Sequence, residues 1–236
     1  MNNNLFNIKD YVVVITGGTG VLGRSIAKYL ALEGAKDAIL GRKEEVGNAI
    51  VEDIKQAGGE ASFFKTDVMN YEVVEQNCKD ILAKYGKIDT LLNAAGGNMK
   101  GATIAPDQNF FDLDVNQFQT VLNLNLTGTV IPTQVFLKPM VEAGKGSIIN
   151  FSSMAAFRPR LVSPTSLPIW HMRPPRSLAR ASVLTRLLLA SSSQSRTVRS
   201  SPILTEVIRN VAMTWFARRH LAEWVSQRSS VVPSIT

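Results

Sequence analysis

Tyr11-Val-Val-Val-Ile-Thr-Gly-Gly-Thr-Gly-Val-Leu-Gly23, running on into Arg24-Ser-Ile-Ala-Lys-Tyr-Leu-Ala-Leu32, is the stretch whose reading decides the fold. Residues 12–15 form an uninterrupted β-branched run, as in a strand buried on both faces, and Ile26, Leu30 and Leu32 give the following segment a helical apolar stripe. Between them, Gly17, Gly18, Gly20 and Gly23 permit positive φ and close backbone approach, so peptide N–H groups and the positive end of a helix dipole can converge on a pyrophosphate. A glycine-rich turn alone is also simply a tight turn. The strand before it and the helix after it favour nucleotide binding.

Outward from that element, 236 residues with 45% apolar content supply ample core for one large domain or two small ones. The first ten residues lack a charged-then-apolar signal pattern, and no run approaches the roughly 18 apolar residues of a membrane span. A cytoplasmic protein with no membrane partner is expected. Cys78 is the one cysteine, which excludes an internal disulfide and reads as core filler rather than a nucleophile. His171 and His220 stand far apart without cysteine neighbours, so no metal site is expected.

Strand and helix signals alternate through the first two-thirds. Residues 38–40, 61–65, 88–93 and 147–151 read as strands, 44–54 and 73–84 as helices, and the later half of 115–140 is apolar at helical spacing. Such alternation specifies an α/β fold with a doubly wound, Rossmann-like parallel sheet and right-handed crossovers, with ligands at the carboxyl ends of the strands.

Five motifs in order carry a resemblance: Thr16-Gly-Gly-Thr-Gly-Val-Leu-Gly23, Thr66-Asp67-Val68, Leu91-Leu-Asn-Ala-Ala-Gly-Gly97, Asn123-Leu-Asn-Leu-Thr-Gly128 and Ile148-Ile-Asn-Phe-Ser-Ser153. Residues 9–157 resemble a short-chain dehydrogenase/reductase, and the stretch from Gly97 to Thr103 is most similar to the fructuronate reductase (mannonate oxidoreductase) branch. One departure is Val21, where the family usually has glycine; Gly20 is expected to take over the turn.

The resemblance implies an NAD(P)-dependent oxidoreductase moving hydride between nicotinamide and a small carbonyl or sugar-acid substrate. It places cofactor contacts at Gly17, Thr19, Gly20, Leu22 and Gly23 in the turn, at Asp67 and Val68 beside the adenine, and at Asn93, Ala94 and Gly96 beside the ribose. Taken singly, Asp67 is also a turn-closing residue and the small residues after Asn93 also serve packing. At the end of the second strand, Gly41 offers no acid for the ribose hydroxyls of NAD, whereas Arg42 with Lys43 suits a 2′-phosphate. NADP is therefore the expected cofactor, with NAD as the alternative and a solvated loop as the plain reading of the two cations. For chemistry, the resemblance implies Ser153 on the substrate oxygen and Asn125 holding a water in a proton relay. Read without the family, both are structural, with Asn125 satisfying backbone in a helix kink.

The remainder is a different text. Residues 1–150 hold 14 Lys+Arg against 17 Asp+Glu, while 151–236 hold 12 basic residues, all arginine, against 2 acidic ones and contain no Gly, Asp, Lys, Tyr or Cys. The family requires a tyrosine and, four residues on, a lysine; those places fall on Ser166 and Trp170. Neither replaces a tuned phenol and its cation. The expectation is a dinucleotide-binding part, 1–157, followed by an atypical Arg/Ser-rich segment, 158–236, that is an out-of-frame or otherwise altered translation. It supplies no further sheet strand, and the chain is inactive as written. The alternative is a non-catalytic nucleotide-binding or interaction protein with a basic tail, in which residues 207–225 form a basic amphipathic helix. No nucleic-acid partner is expected, since no recognition motif accompanies the arginines. A homo-oligomer, implied by the family, is doubtful with this C-terminal part.

Overall fold

The computed structural model describes residues 7–104, 108, 110–153 and, as backbone, 182–190. Every described element lies within a compact unit, Lys9–Ser193. In chain order these are β1 (Val12–Thr16), α1 (Val21–Leu32), β2 (Lys36–Gly41), α2 (Glu44–Gln56), β3 (Glu60–Lys65), α3 (Tyr71–Tyr85), β4 (Thr90–Asn93), α4 (Val115–Leu122), α5 (Gly128–Glu142), β5 (Lys145–Ser153) and β6 (Ser182–Ala190). Short 3₁₀ turns at Lys100–Ala102 and Phe110–Asp112 interrupt the path from β4 to α4, and a π-helical turn, Asn123–Thr127, joins α4 to α5.

The sheet runs β3-β2-β1-β4-β5-β6 with every neighbouring pair parallel. Order reverses between β1 and β4, which leaves a crevice at their carboxyl ends, the place where doubly wound sheets take ligands. β1 is wholly buried because helices cover both faces. On one face Val12, Val14, Ala38 and Leu40 pack with Val74, Cys78 and Ile81 of α3 and Val135, Phe136 and Met140 of α5. On the other, Phe63 lies directly against Gly47 of α2, leaving no space for a Cβ at 47.

The local chemistry explains the helix ends. Asn70 caps α3 by accepting the Val73 N–H, and Gly86, at φ 74°, closes it in the left-handed conformation that costs a glycine least. At the opposite end of the sheet from the crevice, Asp89 accepts the Val12 N–H at 3.0 Å and pairs with Lys87 at 2.8 Å and Lys145 at 3.8 Å. Its backbone also exchanges bonds with Val12 and Ser147, so one residue ties β1, β4 and β5 together at their starts.

Two expectations change and a third is made specific. A further strand does follow residue 158: β6 pairs with β5 over Lys145↔Ser182 to Ser153↔Ala190. Its sequence, Ser-Val-Leu-Thr-Arg-Leu-Leu-Leu-Ala, is aliphatic and free of Gly and Pro, which suits a strand whatever the composition around it. Second, of the four glycines in the first turn, only Gly17 has positive φ, at 65°. Third, Gly20 closes the turn before Val21 on the Gly17 carbonyl without positive φ. Gly20 is the N-cap of α1 in ordinary extended geometry, and Val21 is exposed on its first turn, where a side chain meets only solvent. The proposed helix at 207–225, and Ser166 and Trp170, lie outside the described residues.

Candidate dinucleotide site

The crevice is built from backbone. A Cβ on Gly17 would stand 2.7 Å from the Cα and N of Ala95 and 2.8 Å from the Ala94 carbonyl oxygen, so the turn after β1 touches the segment after β4. Thr16 fixes that approach: its buried hydroxyl donates to the Leu92 carbonyl at 3.4 Å and accepts the Ala95 N–H at 3.1 Å. Gly23 lets α1 enter tightly, since a Cβ there would meet the Gly17 oxygen at 2.4 Å. The Gly20 N–H closes on the Gly17 carbonyl at 2.9 Å, and no side chain caps α1. The leading amides of that helix are therefore directed into the crevice beside its positive dipole end, an arrangement that receives a phosphate. Thr19 and Leu22, both half-buried, flank it.

At the end of β2, Gly41 is pressed against Thr19: a side chain at 41 would meet Thr19 Cγ2 and Oγ1 at 2.7 Å. Arg42 and Lys43 follow, exposed. After β3, the exposed Asp67 closes a turn by accepting the Met69 N–H at 3.0 Å with Oδ1. Val68 is buried against Gly128 at the start of α5.

The residues after β4 divide by role. The Asn93 side chain points inward, donating to Thr133 Oγ1 at 2.9 Å and Asn150 Oδ1 at 2.8 Å, so its carboxamide straps β4 to α5 and β5. Only its backbone, with Ala94, is presented to the crevice. Gly96 abuts Asn125, whose Oδ1 would lie 2.6 Å from a Cβ at 96. The Asn125 carboxamide holds both backbone groups of Gly97, accepting its N–H at 3.0 Å and donating to its carbonyl at 2.8 Å. The Asn125 carbonyl accepts the Thr129 hydroxyl at 2.9 Å. That leaves Asn125 a second Nδ2 hydrogen, a second Oδ1 lone pair and a second backbone-carbonyl lone pair. Ser153 ends β5, in register with Ala190. Thr16, Asp89, Thr133 and Asn150 escaped the sequence reading because each acts through tertiary contacts. Cys78 is buried among α3 and α5, and burial pushes its thiol up to about 11, consistent with core filler.

Residues 11–165 match the sequence pattern of the family described as short chain dehydrogenase. The chain belongs to the short-chain dehydrogenases. Among relatives of this short-chain dehydrogenase chain, the oxidoreductase UxuB of Bacillus subtilis (strain 168) is 41% identical over 161 residues, covering 65% of this chain and 58% of that one. A protein described as a putative D-mannonate oxidoreductase from Haemophilus influenza, solved with bound NAD, is 36% identical, with a TM-score of 0.62 over 70% of this chain and 63% of that one. NAD⁺-bound xylitol dehydrogenase is 28% identical, with a TM-score of 0.61 over 67% and 59%. The match therefore spans less than two-thirds of each relative's length. Among the described residues no helix is long and apolar enough to cross a membrane.

Proposed function

We propose that this chain is a dinucleotide-binding short-chain dehydrogenase of the branch that handles a small carbonyl or sugar-acid substrate, and that it does not turn substrate over as written. The observation that carries the binding half is the Gly17–Ala95 contact, a crevice wall with no room for a side chain, facing the uncapped start of α1. Gly17, Thr19, Leu22 and Gly23 hold the pyrophosphate by backbone amides in a turn that Gly20 closes on Gly17, Asp67 takes the adenine amino group with Val68 beneath the ring, and Asn93 backbone, Ala94 and Gly96 flank the ribose. When bound, the nicotinamide supplies or accepts hydride. Ser153 and Asn125 are the residues on the reacting side.

NADP is the preferred form in this reading, supported by the absence of an acid at Gly41 and the exposed Arg42 guanidinium at the ribose end. NAD is the alternative, supported by the NAD carried by both solved relatives. Fluorescence titration with NADPH and NADH decides it, and tighter NADH binding removes the NADP assignment.

Inactivity rests on the absence of any tyrosine after Tyr85 and any lysine after Lys145. No group remains to deliver a tuned proton. The same composition supports an out-of-frame origin for residues after about 158. Reading the coding DNA there in all three frames, for a Tyr and a Lys four residues apart, tests that origin. Oxidation of NADPH or NADH with a panel of ketoses and uronates tests turnover; robust turnover sinks the inactivity claim. The second reading, a non-catalytic nucleotide-binding protein with a basic tail, is favoured by the same missing pair. In this reading the chain acts on small molecules in the cytoplasm, the location supported by a first stretch without a signal pattern; self-association is tested by sedimentation.

A further inference from the structure

We propose that Gln117 is a positioning residue for the dinucleotide crevice, acting through Gly101 and oriented by Asp114. This rests on the reading of the crevice as a cofactor site. The segment Gly96 to Ala102 follows directly in the chain from Ala94 and Ala95, which wall the crevice, and bonds to Asn125 and Gln117. Asn125 pins its near end at Gly97. Its far end is pinned separately: the Gly101 N–H donates to Gln117 Oε1 at 3.0 Å, the Asp114 N–H donates to the Gly101 carbonyl at 2.9 Å, and Ala102 is fully buried. The fit is close, since a Cβ at 101 would stand 2.8 Å from the Gln117 carboxamide.

The orientation of Gln117 is what makes the pin work. A carboxamide has one donor end and one acceptor end, and an ionised carboxylate only accepts. Asp114 Oδ2 takes Gln117 Nε2 at 2.9 Å, which turns Oε1 toward the Gly101 N–H. Asp114 Oδ1 meanwhile caps α4 through the Asn116 and Gln117 N–H groups. The hydrogen bonds from the Gln117 backbone and side chain hold the Asp114 carboxyl below its ordinary value, so the acceptor form persists at neutral pH. The wall is thus ordered before a dinucleotide arrives, and binding is spared that ordering entropy.

The test uses the full chain, with amide hydrogen exchange read at Gly97 and Gly101 and NADPH and NADH affinities read by fluorescence. In Gln117→Leu, which keeps the stem and the Asp114 cap, exchange at Gly101 accelerates at least about tenfold, exchange at Gly97 stays unchanged, and affinity falls about fivefold. Asp114→Asn retains the Oδ1 cap but presents a donor to Gln117 Nε2, so the carboxamide turns over and Gly101 loses its acceptor; the same two changes are expected. Unaltered affinity in both variants of a chain that binds overturns the positioning role alone, as does unaltered exchange at Gly101. A wild-type chain that binds neither dinucleotide overturns the site reading, and this role with it.

Discussion

Asn125 holds Gly97 by both ends of its carboxamide, accepting the N–H at 3.0 Å and donating to the carbonyl at 2.8 Å. It does so from a π-helical turn, Asn123–Thr127, where one extra residue per turn shifts the helix register. The prediction is that Asn125→Ala destabilises the ligand-free chain by about 1–3 kcal/mol in urea, the usual effect of orphaning polar groups at a packed segment. Asn125→Asp, which still accepts from Gly97 but cannot donate to it, should lose a comparable amount. Wild-type stability retained in both variants would show that the clamp is incidental.

The phosphate turn is tested at its tightest contact. Gly17→Val places a side chain where a Cβ already stands 2.7 Å from Ala95, at a φ of 65° that a β-branched residue resists. The cofactor-dependent rise in melting temperature should vanish in this variant. Persistence of that rise would remove the crevice from consideration.

Asp37 is a carboxyl in the centre of the sheet, paired in register with Val13 and Ala61, fully buried, and without a hydrogen bond to either oxygen. Burial raises its pKa well above the ordinary 3.8. Because the folded chain holds this proton more tightly than the unfolded chain, stability should fall as pH rises from about 3.8 to the raised value and stay lowered above it. Asp37→Val should remove that component and stabilise the chain at neutral pH by about 1–3 kcal/mol. Urea midpoints across pH check both statements; a variant less stable than wild type at pH 7 would contradict them.

Asp89 bears the opposite relationship to its surroundings. Only 7% exposed, it satisfies the fully buried Val12 N–H and two lysines. Asp89→Ala should cost about 1–3 kcal/mol by orphaning that amide. Asp89→Asn, which keeps an acceptor, should cost less. An Asn variant as damaged as the Ala variant would assign the stability to the lysine pairs instead.

The sequence by itself determined the α/β alternation, the phosphate turn and five of the six strands. Those signals are local: β-branched runs, helical apolar periodicity and glycines at fixed spacing each act within a few residues. It also determined that no tyrosine follows Tyr85 and no lysine follows Lys145, because composition requires no folding to read. The tertiary structure decided what each polar side chain faces. Asn93 reads as a cofactor contact from its neighbours, yet its carboxamide turns to Thr133 and Asn150, 40 and 57 residues later. Asn125 reads as a relay residue from the family pattern, and the fold adds that its carboxamide bonds both backbone groups of Gly97, 28 residues earlier. Gln117 reads as one more helical glutamine until Asp114 fixes which end meets Gly101. β6 completes the sheet from within a segment whose composition argues against it, since a strand needs only nine apolar-rich residues and an open edge on β5. A hydrogen bond's direction and partner depend on atoms brought within 3 Å by the whole fold, and that information is in no short stretch of chain.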